Sequence, residues 1–273
     1  MSVTADGGGS TGAARRPVVV AIDGPAASGK SSTAQWVAEK LGVHHVDSGA
    51  LYRAATAAAL RSGRPTDEWS EKFVLERAAD VTLTAGEHSF VPLIGGASAD
   101  EELRGSEVTR CVSRVAQMPG VRAWVNAQVR RAAEQNDVVV DGRDIGTAVF
   151  PDAEVKIFLV ADPWERAKRR LVQRLGRRPT EEETAAETER LVLRDARDAT
   201  QTVQAKDAVL IDTTYLTQAE QVDRIVALAR ALERGLATGG IPLATPAAGM
   251  DRVHGVTDAP AGTSALDGSD ERG

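Results

Sequence analysis

Residues 18–31 read VVVAIDGPAASGKS, and this stretch decides the fold. Val18 to Asp23 is a short apolar run, the pattern of a strand buried on both faces. Gly24 to Ser31 matches G-x-x-x-x-G-K-[ST] at every position. The residues that follow place Ala34, Val37, Ala38 and Leu41 on one stripe of a helix. Strand, glycine-rich turn and helix in this order make an anion site. The turn lets successive backbone N–H groups face one ligand, and the helix N-terminus adds its dipole. A turn that merely begins a helix would need neither the lysine nor the hydroxyl that ends this one. Lys30 is placed to carry a point charge to the β- and γ-phosphates of a nucleoside triphosphate, and the Ser31 hydroxyl to ligate Mg²⁺. Gly24, Pro25, Ala26, Ala27, Ser28, Gly29, Lys30, Ser31 and Ser32 are therefore the expected ATP contacts.

Working outward, strands and helices alternate. A short strand is expected around His45–Val46, and an Ala-rich helix over 50–60. Val138–Asp141, Val155–Val160 and Val209–Asp212 complete a set of five. Asp162, Pro163 and Glu165 read as a helix start, and Thr217 with Glu220 as a capping box before a last helix. The alternation predicts a mainly parallel sheet with helices on both faces, an α/β fold. Residues 63–105 break the rhythm with short strand-like runs (Val81–Thr84, Ser89–Ile94) and a Gly-Gly turn, and read as an insertion. Helical patterns resume over 106–135, interrupted at Pro119-Gly120. Residues 1–16 and 236–273 are small, polar and aperiodic, and read as disordered around one domain over 17–235.

The chain has 273 residues, 42% of them hydrophobic, and a formal charge of −6. That length supports a sizeable core. The acidic balance argues against a duplex nucleic-acid binder. Cys111 is the sole cysteine, so no intrachain disulfide forms, and it reads as a small buried hydrophobe rather than a reactive thiol. No apolar run reaches the ~20 residues of a membrane helix, and the first sixteen lack the apolar core of a secretory signal. A cytoplasmic protein with no membrane or nucleic-acid partner is expected.

Three clusters beyond the loop carry chemistry. Asp47-Ser48-Gly49-Ala50-Leu51-Tyr52-Arg53 stands at the second strand–helix junction, where ligands of open α/β sheets bind. Asp141-Gly142-Arg143-Asp144 closes a strand with two carboxylates and a guanidinium, suited to a metal-water shell and a phosphate or ribose contact. An arginine-rich stretch runs from Arg166 to Arg197, from which two to four side chains, Arg170 among them, are expected to reach ligands. Mobile arginines stabilise the charge that spreads over a transferring phosphoryl group.

With these words in place the chain resembles the bacterial cytidylate kinase family of nucleoside-monophosphate kinases, over about residues 17–235. The matching words are IDGPAASGKS, VDSGALYR, LRGSEVTRCVSRVAQMPGVR, DGRDIGTAVFPDAEVKIFL, ERAKRR and RDARD. The resemblance implies a five-stranded parallel core, a nucleotide-binding insertion over 63–105 and a short lid over about 173–189. It implies ATP as donor with Mg²⁺, CMP or dCMP as acceptor, and a monomer. Asp47, Ser48, Tyr52, Arg53, Ser113, Arg122, Arg143, Asp144, Arg194 and Asp198 are the implied acceptor contacts. Of these, Arg53 and Arg143 would hold the acceptor phosphate, Ser113 and Arg122 the cytosine ring, and Asp198 with Arg194 the ribose. Lys30, Arg143, Asp144 and Arg170 are the implied catalytic residues.

One departure stands out. The family's R-D-x-x-D-x-x-R motif here ends in Gln201, and the segment after it is a few residues short. A neutral amide does not replace a charge-assisted contact to a phosphate. Two alternatives stay open on the sequence: a kinase acting on a modified pyrimidine nucleotide or a hydroxyl metabolite, and a nucleotide-binding protein without catalysis.

Overall fold

The structure is a computed structural model that describes residues 17–233; the ends read as disordered, 1–16 and 236–273, lie outside the described residues. In chain order the elements are β1 (Val19–Asp23), α1 (Lys30–Leu41), β2 (His44–Asp47), α2 (Ser48–Leu60), α3 (Glu71–Ala78), β3 (Val81–Ala85), β4 (Ser89–Ile94), β5 (Ala97–Ser98), α4 (Asp100–Arg104), α5 (Ser106–Val115), α6 (Pro119–Ala133), β6 (Val138–Asp141), β7 (Val155–Val160), α7 (Pro163–Leu175), α8 (Glu181–Asp198), β8 (Val209–Asp212) and α9 (Gln218–Glu233). A 3₁₀ turn over Thr66–Glu68 precedes α3, and a π-helical turn over Ile145–Val149 follows β6.

The five strands expected from the sequence form a parallel core in the order β2-β6-β1-β7-β8. Successive residues of β1 feed opposite cores, which explains the unbroken apolar run. Val19 and Ala21 join the core under α2, α5 and α6, while Val20 and Ile22 join the core under α1 and α9. Within the stretch read as an insertion, β4 lies parallel beside β2, and β3 and β5 pair antiparallel with β4. The sheet thus runs on beyond the five strands, and Val81 and Ile94 share the core of α2.

Local signals settle the helix ends. Asp162 accepts from the Trp164 and Glu165 N–H groups at the start of α7. Thr217 and Glu220 exchange side chain-to-backbone hydrogen bonds before α9. Cys111 is buried in the α5 face of the core. No helix among the described residues is long and apolar enough to cross a membrane.

Candidate active site

The glycine-rich loop leaves β1 where β7 runs alongside it. Gly24 has φ +146°, and a Cβ there would stand 2.2 Å from the Leu159 carbonyl oxygen, so only glycine lets the chain turn this close to β7. Ala27 adopts the left-handed region at φ 57°. Gly29 offers α1 no side-chain cap, which leaves its first-turn N–H groups turned to an anion. Lys30 curls back into the loop: Nζ donates to the Pro25 carbonyl at 2.6 Å and to Ser28 Oγ at 3.4 Å. Burial, and next the Arg143 guanidinium, hold the Lys30 ammonium well below its usual pKa. A group that loses water and gains no carboxylate partner is poised for a polyanion. Ser31 and Ser32 stand exposed on the first turn of α1.

Behind Ser31 lies a buried relay. Ser31 Oγ donates to Asp141 Oδ2 at 2.7 Å, and His45 Nε2 meets Asp141 Oδ1 at 2.7 Å. Burial alone would raise Asp141, but the His45 hydrogen bond and charge, with Ser31 and Lys30, outweigh it and hold the carboxyl below its usual range. Asp47 goes the other way: burial and the nearby Asp141 charge raise it, although Oδ1 caps α2 at the Ala50 N–H, 3.0 Å away. No group of three or more His, Cys, Asp or Glu side chains among the described residues makes a metal site by itself. The hydroxyl and carboxylate oxygens of Ser31 and Asp141 do fit Mg²⁺, a hard cation that keeps waters and takes its other ligands from substrate phosphates.

Across from the loop, cations converge. Arg143 Nε and Arg194 Nε each stand 3.7 Å from Asp198 Oδ2, and both nitrogens are buried with no hydrogen-bond partner. Burial, then the Arg143 charge, pull Arg194 down to about 10. Arg53 is lowered by burial, with Arg170 and Arg143 adding to it against the opposing pull of Asp47. Its Nη1 donates to the Leu103 carbonyl at 3.0 Å and to Thr109 Oγ1 at 3.1 Å. Cations that depress one another in the absence of ligand describe a site for an anion of more than one charge. Gly142 lets the chain pass close to α2: a Cβ there would stand 2.6 Å from Ser48 Oγ, which donates to the Asp141 carbonyl at 2.8 Å.

Beside this nest, Arg122 is held from several directions. It pairs with Asp144, donates to Gln201 Oε1 at 2.8 Å and to the Ala116 carbonyl at 3.2 Å, and lies over the Tyr52 ring at 5.9 Å. Ser113, on α5, is half-buried. No polar contact ties it to the cluster among the described residues. Asp23 is buried at the end of β1, where its two oxygens accept from the Ile145 and Gly146 N–H groups at 2.8 Å each.

Several site residues carried no local signal. Asp195 accepts from the Ala26 N–H at 3.1 Å, Arg166 donates to the Ala26 carbonyl at 2.8 Å, and the two side chains pair at 2.6 Å. One residue of the loop is thus gripped from both sides by α7 and α8. Glu187 and His45 were also missed, because the contacts that mark them, to Arg170 and to Asp141, lie on other elements.

The family model described as cytidylate kinase matches residues 20–231. A cytidylate kinase of Geobacillus kaustophilus is 42% identical over 215 residues, covering 78% of this chain and 96% of that protein. A bifunctional pantoate ligase/cytidylate kinase of Synechococcus sp. is 42% identical over 233 residues; the match covers 82% of this chain but only 42% of that protein's length. Among solved structures, a shikimate kinase from Bacteroides thetaiotaomicron is similar at 14% identity with a TM-score of 0.43, covering 80% of this chain and 98% of that one.

Proposed function

The chain belongs to the cytidylate kinase family, and from that premise we propose that it moves the γ-phosphoryl group of ATP onto CMP or dCMP, giving ADP and CDP or dCDP, in the cytoplasm. The observation that carries this reading is the pair of facing cationic sites. Lys30 sits in a loop built for a triphosphate, and Arg53, Arg143 and Arg194 converge on a second anion with two buried Nε groups unpartnered.

The loop amides and Lys30 bind the donor phosphates. Arg53 and Arg143 hold the acceptor phosphate, Arg194 and Asp198 its sugar, and Arg122 with Tyr52 and Asp144 its base. Ser31, with Asp141 behind it, would hold Mg²⁺, which supplies charge neutralisation across the β- and γ-phosphates when bound. A nucleotide phosphate has a second pKa of about 6, so the acceptor is already mostly dianionic at pH 7. Its oxygen attacks the γ-phosphorus in line, the bond to the β–γ bridging oxygen breaks, and ADP leaves with that electron pair. Arg143 and Arg170 stabilise the charge on the oxygens in flight.

A hydroxyl acceptor would need a general base. Both oxygens of Asp23 are bonded to backbone N–H groups, and Asp144 is paired with Arg122. Asp23 is thus turned to the backbone and Asp144 to Arg122, with no oxygen of Asp23 left over to face an acceptor hydroxyl, which favours the phosphate acceptor. The test is ADP release with CMP, dCMP, UMP, AMP, GMP and unphosphorylated cytidine. CMP and dCMP are expected to stimulate it most; no stimulation by either overturns the reading.

A further inference from the structure

Glu187 belongs to no catalytic role assigned above, yet it is the most heavily engaged carboxylate of the helical hairpin formed by α7 and α8. It sits on the buried stripe of α8 that also carries Thr184, Leu191 and Asp198, and only 4% of its surface is exposed. Its Oε1 lies 2.9 Å from Arg170 Nε, and its Oε2 lies 3.3 Å from Arg190 Nη1 and 3.6 Å from Arg174 Nη1. The three arginines differ in where they stand. The Arg174 and Arg190 side chains are 51% and 70% exposed, whereas Arg170 is 29% exposed and close enough to Arg53 and Arg194 to help lower both.

We infer that Glu187 is the positioning residue of Arg170: it fixes the Nε side of that guanidinium so that the Nη side is kept at the phosphoryl-transfer site. This rests on the reading of Arg170 as a catalytic arginine in the proposed function. The physical need is plain. Arg53 and Arg194 repel Arg170, and an arginine on the surface of a helix escapes such repulsion by rotating toward water. A carboxylate beneath its stem removes that option at the Nε edge, and no hydrogen bond from either Nη to another described residue competes for the other edge. Arg174 and Arg190 help to balance the Glu187 charge from its more exposed side.

The experiment is a double-mutant cycle of Glu187→Gln and Arg170→Ala, read as kcat and KM for CMP at saturating ATP. Glutamine keeps the volume of the side chain but not its charge, so the helix packing survives while the ion pairs to the three arginines are lost. Misplacing one catalytic group costs on the order of 10²-fold in rate, so Glu187→Gln should lose about that much kcat with little change in KM. The double variant should be no slower than Arg170→Ala alone. Additive losses, an unchanged kcat in Glu187→Gln, or a KM effect without a kcat effect overturn the inference. A readout free of turnover runs alongside. The Arg170 Nε–H resonance of the unliganded chain should be protected from solvent exchange and lose that protection in Glu187→Gln; an unprotected resonance in the unchanged protein also overturns it. If the unchanged protein transfers nothing to CMP, the proposed function fails, and the Nε–H resonance still decides the role of Glu187.

Discussion

Gln201 accepts a hydrogen bond from Arg122: its Oε1 lies 2.8 Å from Nη1, on the same guanidinium that pairs with Asp144. The residue that looks like a lost phosphate contact in the sequence is an acceptor that braces Arg122, the arginine proposed to read the base. A hydrogen bond to a charged group contributes about 1.5–3 kcal/mol. Gln201→Ala is therefore expected to raise KM for CMP about tenfold, with kcat changed far less. Gln201→Arg is expected to do no better than alanine, because a second guanidinium cannot accept from Arg122 and repels it. Steady-state kinetics over CMP concentration decide this; a gain in kcat/KM for Gln201→Arg would return Gln201 to the status of a missing cation.

How far the sequence was legible follows from where each signal resides. The loop is legible because its spacing is local: Gly24 at the turn beside β7 and Lys30 at the helix start do their work within eight residues. The five parallel strands are legible because burial on both faces leaves an apolar run. The grip of Asp195 and Arg166 on Ala26 was not legible, because it joins positions 169 and 140 residues apart along the chain. Glu187 carries no signal in its own neighbourhood, and only its place beside Arg170 distinguishes it. The continuation of the sheet through β4 was hidden because parallel pairing of β2 with β4 leaves no mark on either strand's own pattern.

Lys30 couples activity against stability. Its charged form is penalised in the unliganded fold by burial and by Arg143, which is why its pKa is lowered. Lys30→Met removes that penalty and keeps the volume of the stem. The expected outcome is a thermal midpoint equal to or above that of the unchanged protein, together with a loss of kcat of on the order of 10²–10³-fold, the cost of one aimed electrostatic donor. Calorimetry of the unliganded protein and single-turnover transfer measure the two halves separately. A lowered midpoint would show that the Lys30 bonds to Pro25 and Ser28 outweigh its desolvation.

The Asp195–Arg166 pair predicts a strongly non-additive pair of substitutions. Arg166 is 5% exposed and meets Asp195 at 2.6 Å, so removing the carboxylate leaves a buried cation without its partner. Such breaks cost about 3–5 kcal/mol, whereas replacing the whole pair with apolar groups is often neutral. Asp195→Ala should therefore lose about 3 kcal/mol in urea unfolding, and Asp195→Ala with Arg166→Met should recover most of it. Both should raise KM for ATP, because Ala26 loses one of its two contacts in the single variant and both in the double. Equal stability losses in the single and double variants would show that the pair acts only through the loop backbone.

Asp23 sets a pH dependence whose sign is opposite to that of an ion-paired carboxylate. Burial, only partly opposed by the N–H groups of Gly146 and Ile145, raises its pKa from 3.8 to about 6. Between those values the folded chain holds a proton that the unfolded chain has released. Stability therefore falls as pH rises through this window, and above it the cost is constant at about 3 kcal/mol. Asp23→Asn has nothing to titrate at this position. At pH 4 the folded Asp23 is protonated and its hydroxyl oxygen can still accept from one N–H group, whereas the asparagine NH2 only donates, so at pH 4 the variant should be the less stable protein. From pH 4 to pH 7 the difference between the two proteins should move in favour of the variant by about 2 kcal/mol, read from urea unfolding at each pH so that the other carboxylates cancel. A difference that stays constant over this range would mean that the two backbone hydrogen bonds, and not burial, govern the Asp23 proton.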